Sequence, residues 1–236
     1  MSRLPLAVLA LATCAFAQSE SWPHNAGVGF KFSTLGAGVE VGAKVAPKLN
    51  LRTGFNFFQY GMTTQQQGMN FHGDLNLRSV ETHADFFPFH NQFHISPGIL
   101  FSSNHASASG GVPAGDHFTL NNHDFISAAT DPVSGAGNVR FHTAQPMLTV
   151  GWGNLVPRSG KHWSFPFEIG TAYQGSGSVN YNLTGTACDG SGNFCRPVSD
   201  PTIQSDLNAQ VTKVRNNINH YGRWFPILSS GISYRF

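Results

Sequence analysis

Seven charged side chains occur in segments where apolar residues alternate with small polar ones. They are Glu40, Arg52, Arg78, Glu81, Asp85, Arg140 and Glu168. If these segments enclose a narrow interior, the charges must pair with one another, because an unpaired charge in an apolar environment is costly. The pattern predicts a buried ion-pair network that fills the interior, and the alternative is a narrow polar path for a small solute.

Histidines form a second group that could do chemistry, with 11 in the chain. His105, His117 and His123 lie in one long polar segment with Asp116 and Asp124, where they could gather a metal ion. Their spacing matches no established metal site. We therefore interpret them as solvated loop residues and expect no metal and no other cofactor.

A hydrolase or acyltransferase would need a nucleophile in hydrogen-bond contact with a base. His94 and Ser96 share one face of a segment, but alternate residues of a strand are about 7 Å apart, too far to form a dyad. The Gly-rich stretch at 107–115 lacks the preceding strand and following helix of a phosphate-binding loop. We therefore expect no enzymatic activity.

The segments that carry these residues alternate with a period of two, which is typical of strands with two different faces. Eight strands are predicted, at 28–33, 36–45, 49–60, 71–87, 93–103, 139–154, 163–183 and 222–236. Residues 28–45 could instead form one long bent strand. In the fourth strand the polar residues change from even to odd positions, which predicts a β-bulge near Ser79.

The two faces of these strands indicate the class of protein. One face is apolar and rich in aromatic residues, whereas the other carries glycine, serine, asparagine and scattered charges. Only 11% of the residues are charged and 12% are aromatic, and 26 of the 236 residues are glycine. A narrow polar lumen with an apolar exterior that meets lipid explains this better than a water-exposed β-sandwich.

The connections between the predicted strands differ in length at the two ends. Short turns fall at 46–48, 88–92 and 155–162, and long connections fall at 61–70, 104–137 and 184–221. The last of these contains a predicted helix near 203–218, either on the membrane surface or over the barrel mouth. It also contains Cys188 and Cys195, whose separation in a Gly-rich loop predicts a local disulfide in an oxidising compartment.

The N-terminal residues have the order of a secretory signal peptide. A charged residue, Arg3, precedes an apolar run and the motif Ala15-Phe16-Ala17, so residues 1–17 are the predicted signal and 18–236 the barrel domain. An alternative interpretation makes Cys14 a lipoprotein-type acylation site. The chain has 14 Lys and Arg against 12 Asp and Glu, so no basic field for nucleic acid is expected.

The last strand ends in "GISYRF", with Ile232, Tyr234 and Phe236 at alternate positions. This pattern resembles the C-terminal signature of bacterial outer-membrane β-barrels, and the length and loop asymmetry resemble small barrels of the OmpA and OmpX type. The resemblance implies recognition of these three residues by the barrel-assembly machinery, and it implies an outer-membrane location.

Together the patterns predict an all-β fold, an eight-stranded antiparallel up-and-down transmembrane barrel with long extracellular loops and a short helix before the last strand. The expected role is structural or surface-interacting, with a lumen filled by side chains. The alternatives are a narrow channel for small solutes and a lipid-modifying enzyme. The expected partners are outer-membrane lipid, the assembly machinery and an extracellular ligand of unknown identity.

Overall fold

The computed structural model describes residues 25–66, 69–89, 91–157 and 161–236. The predicted signal peptide and the alternative acylation site at Cys14 lie outside these residues. Within them, no helix is long and apolar enough to span a lipid bilayer.

The elements follow one another along the chain as sixteen strands and a helix within the described ranges. The first strands are β1 (Ala26–Ser33), β2 (Gly36–Ala46), β3 (Leu49–Gln66), β4 (Met69–Phe86) and β5 (Phe93–Ser102). They are followed by β6 (His105–Gly111), β7 (His117–Leu120), β8 (His123–Ser127), β9 (Ser134–Arg140) and β10 (Ala144–Trp152). The remaining elements are β11 (Trp163–Ser164), β12 (Phe167–Tyr173), β13 (Ser178–Thr184), β14 (Thr186–Asp189), β15 (Cys195–Pro197), α1 (Pro201–Tyr221) and β16 (Trp224–Arg235).

Eight of the described strands close into an antiparallel barrel, as the sequence predicts. Their order around the barrel is β1, β2, β3, β4, β5, β10, β12 and β16, and β16 pairs with β1 to close the sheet. The segment 28–45 is a hairpin rather than one bent strand, because β1 and β2 pair with each other from Ser33 and Gly36 onward. The start of β1 and the end of β16 therefore lie at one end of the barrel, where Gly27 pairs with Arg235. This end is here called the terminus end, and the opposite end is called the loop end.

The outward face of the barrel is an apolar belt. Side chains at alternate positions are exposed while their neighbours are buried, as in β10, where the pattern alternates strictly from Ala144 to Trp152. The exposed belt residues include Phe30, Val41, Phe55, Ile99, Leu148, Ile169 and Leu228. Monomeric soluble proteins rarely expose an apolar surface of this extent, and a lipid-facing exterior accounts for it.

On one side, the barrel wall continues beyond the loop end. Strands β3 and β4 extend into the predicted polar loop at 61–70, and β6, β9 and β13 pair alongside them in the order β13, β9, β6, β4, β3. The predicted strand 139–154 is therefore divided in two, with a break at 141–143. The predicted strand 163–183 is divided in three, with breaks at 165–166 and 174–177. The breaks at 141–143 and 174–177 let the chain bend between the closed barrel and the open extension sheet.

The bulge predicted near Ser79 is wrong. The register of β3 with β4 is continuous from Leu49 to Gln66, and the register of β4 with β5 is unshifted around Ser79. The change of polar phase has another cause. Residues 70–76 of β4 pair with β6 in the extension sheet. There the outward face no longer meets lipid, so polar side chains are favoured.

A lobe with its own apolar core stands on the extension sheet. Its second sheet has the strand order β15, β14, β8, β7. The helix α1 begins after Asp200, whose side chain accepts a hydrogen bond of 2.9 Å from the Thr202 backbone N–H, the usual arrangement of an N-cap. Its first turns pack Ile203 and Leu207 against Leu120 and Leu183. The predicted helix is confirmed, and it is a structural part of the lobe.

Two local clamps hold the lobe together. The predicted disulfide between Cys188 and Cys195 is present and joins β14 to β15. Asp206 of α1 accepts hydrogen bonds from His123 Nδ1 at 2.8 Å and from Asn121 Nδ2 at 3.1 Å. The His123 and Asn121 contacts hold the pKa of the Asp206 carboxyl below its ordinary value. Their stabilisation is therefore present at neutral pH and is lost as the pH falls through that lowered pKa.

Candidate functional site

The candidate site is the lumen of the barrel, where polar side chains from six strands meet. Each of these residues occupies the inward position between two outward, lipid-facing neighbours, so the strand period alone directs it into the lumen. The ionisable members are Lys31 on β1, Glu40 on β2, Arg52 on β3, Glu81, His83 and Asp85 on β4, His94 on β5, and Glu168 on β12. All eight are buried, with exposed fractions of 5% or less.

Arg52 lies at the centre of this network and contacts three carboxylates. Its Nε is 3.0 Å from Asp85 Oδ1, and its Nη1 is 3.1 Å from Glu40 Oε2. Its Nη2 contacts Glu168 Oε1. The planar guanidinium offers five donors in fixed directions, which suits it to bind several carboxylates at once.

A second cation, Lys31, lies between two acidic residues. Its Nζ is 3.6 Å from Glu40 Oε2 and contacts Glu81 Oε1. Glu40 is thus shared by Lys31 and Arg52, which joins the two halves of the network. Gly54 of β3 lies between Glu40 on β2 and Glu81 on β4. A Cβ added to Gly54 would be 3.0 Å from Glu81 Oε1. The glycine therefore leaves space for both carboxylates.

The network connects β5 to β12 through a contact between a histidine and a glutamate. His94 Nε2 is 3.1 Å from Glu168 Oε1, and Thr149 Oγ1 is 3.5 Å from Glu168 Oε2. Gly151 of β10 lies beside this pair, because a Cβ there would be 2.7 Å from both His94 Nε2 and Glu168 Cγ. The small residue on β10 is therefore required for the contact between β5 and β12.

Carboxylates outnumber cations in this lumen. Among the described lumen residues, Lys31 and Arg52 face four carboxylates, those of Glu40, Glu81, Asp85 and Glu168. His83 Nε2 is 3.5 Å from Glu81 Oε2, while the buried hydroxyl of Ser96 has no hydrogen-bond partner among the described residues. The middle of the lumen is therefore polar, acidic and incompletely satisfied.

Asp85, His94 and Glu168 also form the group that comes closest to a metal site among the described residues. Their donor atoms lie within 4.8 Å of one another. Arg52 already contacts both carboxylates of this group, so its guanidinium supplies the positive charge that a cation would bring. His105, His117 and His123, which the sequence predicts to be loop residues rather than metal ligands, lie on β6, β7 and β8, and His123 Nδ1 is 2.8 Å from Asp206 Oδ2.

The loop end of the lumen is closed by an apolar cap. The short turn between β1 and β2 folds inward and places Leu35 at 1% exposure. Leu35 packs with Leu100, Met147, Ala172 and Ile227 from the surrounding strands. Gly36 makes this turn possible because its φ of +108° is rarely adopted by other residues.

The terminus end is closed by a plug formed by residues 153–157. Asn154 Oδ1 accepts a hydrogen bond of 2.7 Å from Asn50 Nδ2 and another of 2.9 Å from the Val156 N–H. Leu155 lies against Gly29 and Gly42, where added Cβ atoms would be 2.7 and 2.8 Å from its methyl groups. The predicted turn 155–162 thus begins inside the barrel rather than outside it.

The sequence prediction was wrong for two members of the network. Arg78 and Arg140 are exposed on the outer surface. Arg78 lies outward on the β4 wall with its Cζ 5.6 Å from the Phe57 ring centre. Arg140 lies on β9 in the extension sheet and pairs with His105 and Ser178 across the neighbouring strands. The other five predicted members, Glu40, Arg52, Glu81, Asp85 and Glu168, lie together in the lumen.

Three members of the network were missed, and a signal existed for each. Lys31 stands between Phe30 and Phe32 in β1, so the strand period places it inward. His83 and His94 likewise alternate with lipid-facing positions. The predicted assembly residues Ile232, Tyr234 and Phe236 lie on or just beyond the outward face of β16, away from the network.

No protein family model matches this chain, and no curated protein matches it either. The solved structures that resemble it include two from Acinetobacter baumannii. CarO of Acinetobacter baumannii has 21% sequence identity and a TM-score of 0.58, and the match covers 93% of this chain and 100% of CarO. CarO2 of the same organism has 19% identity and a TM-score of 0.59, over 90% of this chain and 98% of CarO2.

A third structure, a major outer membrane protein from Thermus thermophilus, has 16% identity over 90% of this chain and all of that protein. Its TM-score of 0.36 is too low to support an argument. The similarity to the two Acinetobacter structures extends over nearly the whole chain and shows the fold. The fold is that of an outer-membrane β-barrel, as the sequence predicts.

Proposed function

We propose that this chain is an outer-membrane protein whose barrel is a sealed anchor and whose lobe interacts with molecules outside the cell. The observation that carries this proposal is the filling of the lumen at three levels. The apolar cap around Leu35 closes the loop end, the Arg52 network fills the middle, and the plug at 153–157 closes the terminus end. A lumen occupied in this way holds the wall together and leaves no wide path for solutes.

The lobe is the part of the protein that we place outside the cell. It has an apolar core, a disulfide and a helix, and it stands at the loop end of the barrel. In outer-membrane barrels the longer connections face the exterior and the shorter turns face the periplasm. The lobe is therefore the surface on which we place the unknown extracellular ligand.

The proposal includes no enzymatic activity. His94 is held by Glu168 inside a closed lumen. The hydroxyl of Ser96 has no hydrogen-bond partner within the described residues, so it lacks the contact with a base that activates a serine nucleophile.

Expression of the full chain in a Gram-negative host tests the proposal. We expect recovery in the outer-membrane fraction and a change of gel migration on heating. A protease added to intact cells should cut within the lobe and leave a protected barrel fragment. Because the assembly machinery is the proposed reader of the last strand, a chain without Phe236 should be recovered in smaller amounts. A soluble periplasmic product that is indifferent to Phe236 would contradict the proposal.

A narrow cation path is the second candidate, and the excess of carboxylates in the lumen favours it. Two cations among four carboxylates would leave a site that attracts small cations. This candidate requires both the cap and the plug to move, whereas the first candidate requires no movement. Ion conduction by the purified protein distinguishes the two.

A further inference from the structure

We propose that Arg78 and Arg140 form a binding site for the phosphate groups of an outer-leaflet lipid headgroup, that of lipopolysaccharide. The proposal rests on the outer-membrane placement given above. Both arginines are exposed on the same outward face of the wall, immediately beyond the loop end of the closed barrel. This is the level at which the lipid-facing belt gives way to headgroups.

The register of the wall fixes the relative positions of the two arginines. Arg140 pairs with His105, and His105 pairs with Asn76 of β4. Residues paired in this way share one face, and Arg78 is two positions from Asn76 along the same face. The strand spacing and rise place the Cα atoms of Arg78 and Arg140 about 12 Å apart, with His105 between their strands. This arrangement suits a headgroup that carries more than one phosphate.

Local contacts hold Arg78 at the surface. The Phe57 ring faces the Arg78 guanidinium on the outward side of the wall, and Asn104 Oδ1 accepts a hydrogen bond of 3.0 Å from the Arg78 backbone N–H. Within the described structure, neither arginine forms an ion pair with a carboxylate. Their donors are therefore available to phosphate oxygens, which guanidinium groups bind in paired hydrogen bonds.

The surface above the arginines also fits this ligand. Its outward side chains are short and polar and include Asn138, Asn180 and Asn182, which line a shallow cleft of about 420 Å³. The acidic residue of this cleft is Asp74, and its Oδ2 is 3.1 Å from His72 Nε2. The outward face thus passes from an apolar belt to two cations and then to amide and hydroxyl groups. The same order, acyl chains, phosphates and sugars, describes a lipopolysaccharide molecule from tail to head.

Titration of purified full-length protein in detergent with fluorescent rough-type lipopolysaccharide tests the proposal. The R78Q/R140Q double variant should bind about tenfold more weakly or worse, equivalent to at least about 1.4 kcal/mol. R215Q, which removes an exposed arginine of α1, should bind within about twofold of the wild type. Dephosphorylated lipopolysaccharide should bind the wild type and the double variant equally.

Three results would overturn the proposal. The first is unchanged affinity in the double variant, and the second is an equal loss in R215Q. The third is competition by inorganic phosphate at the concentration of the lipopolysaccharide, which would assign the site to free phosphate. Heat-modifiable migration is measured on every variant. If the wild type lacks it, the barrel proposal fails, whereas a folded double variant with undiminished binding refutes the lipid site alone.

Discussion

Replacing Arg52 with alanine will destabilise the barrel by about 3–5 kcal/mol, the range found when one partner of a buried ion pair is removed. Arg52 contacts Glu40, Asp85 and Glu168 in the middle of the lumen. Without it, three carboxylates remain buried, and of these three Glu40 is the one that the described ion pairs join to Lys31. The fraction of protein that keeps the folded gel mobility, measured across a urea series, reports this change.

Arg78 provides the matched control for this experiment, because the sequence pattern assigned both arginines to the lumen. Arg78 is exposed and its side chain lies against the Phe57 ring. R78A should therefore change the free energy of unfolding by about 1 kcal/mol or less. Equal losses in the two variants would contradict the central position of Arg52.

Replacing Gly151 with alanine will destabilise the barrel by about 3 kcal/mol or more. The added Cβ would be 2.6 Å from Phe167 O and 2.7 Å from both His94 Nε2 and Glu168 Cγ. Overpacking of a filled interior costs about 1–3 kcal/mol, and displacement of the His94–Glu168 pair adds to it. The same urea series measures the effect.

Gly73 of β4 is the control for the glycine substitution. Its added Cβ would meet nothing closer than 4.0 Å, and alanine is less costly than glycine in a strand. G73A should be as stable as the wild type or slightly more stable. If G151A behaved like G73A, the His94–Glu168 contact would not contribute to the stability of the lumen.

The barrel itself could be predicted from the sequence because a period of two, with different chemistry on each face, determines both strand positions and the direction of each side chain. Glu40 and Glu168 follow directly from this rule. Lys31 follows from it as well, since it stands between two lipid-facing phenylalanines. The eight barrel strands close in the order expected from the even number of predicted strands and from the alternation of short and long connections between them.

Other features depend on where the lipid ends, which alternation alone does not reveal. Arg78 and Arg140 were predicted to point inward because the inward and outward positions of their strands were exchanged near the loop end. There the outward face becomes polar, so hydrophobicity stops distinguishing outside from inside. This loss of contrast also produced the incorrect bulge near Ser79.

The cap and the plug could not be predicted because they depend on tertiary packing of short turns. Leu35 and Leu155 each lie in a connection, where apolar residues have no periodic signal. Their insertion depends on space provided by distant residues, such as Gly29 and Gly42 for Leu155. Nothing in the local sequence of either turn indicates that this space exists.

Ion conduction through the purified barrel in a planar lipid bilayer tests the central claim, that the lumen is sealed, most directly. We expect no current steps above the bilayer background for the wild-type protein in concentrated KCl. A variant with glycine at positions 154, 155 and 156, provided that it keeps the heat-dependent gel shift, should also show no current steps, because the cap around Leu35 and the Arg52 network still fill the lumen. Stepwise, cation-selective currents from the wild type would contradict the sealed lumen and favour the narrow cation path.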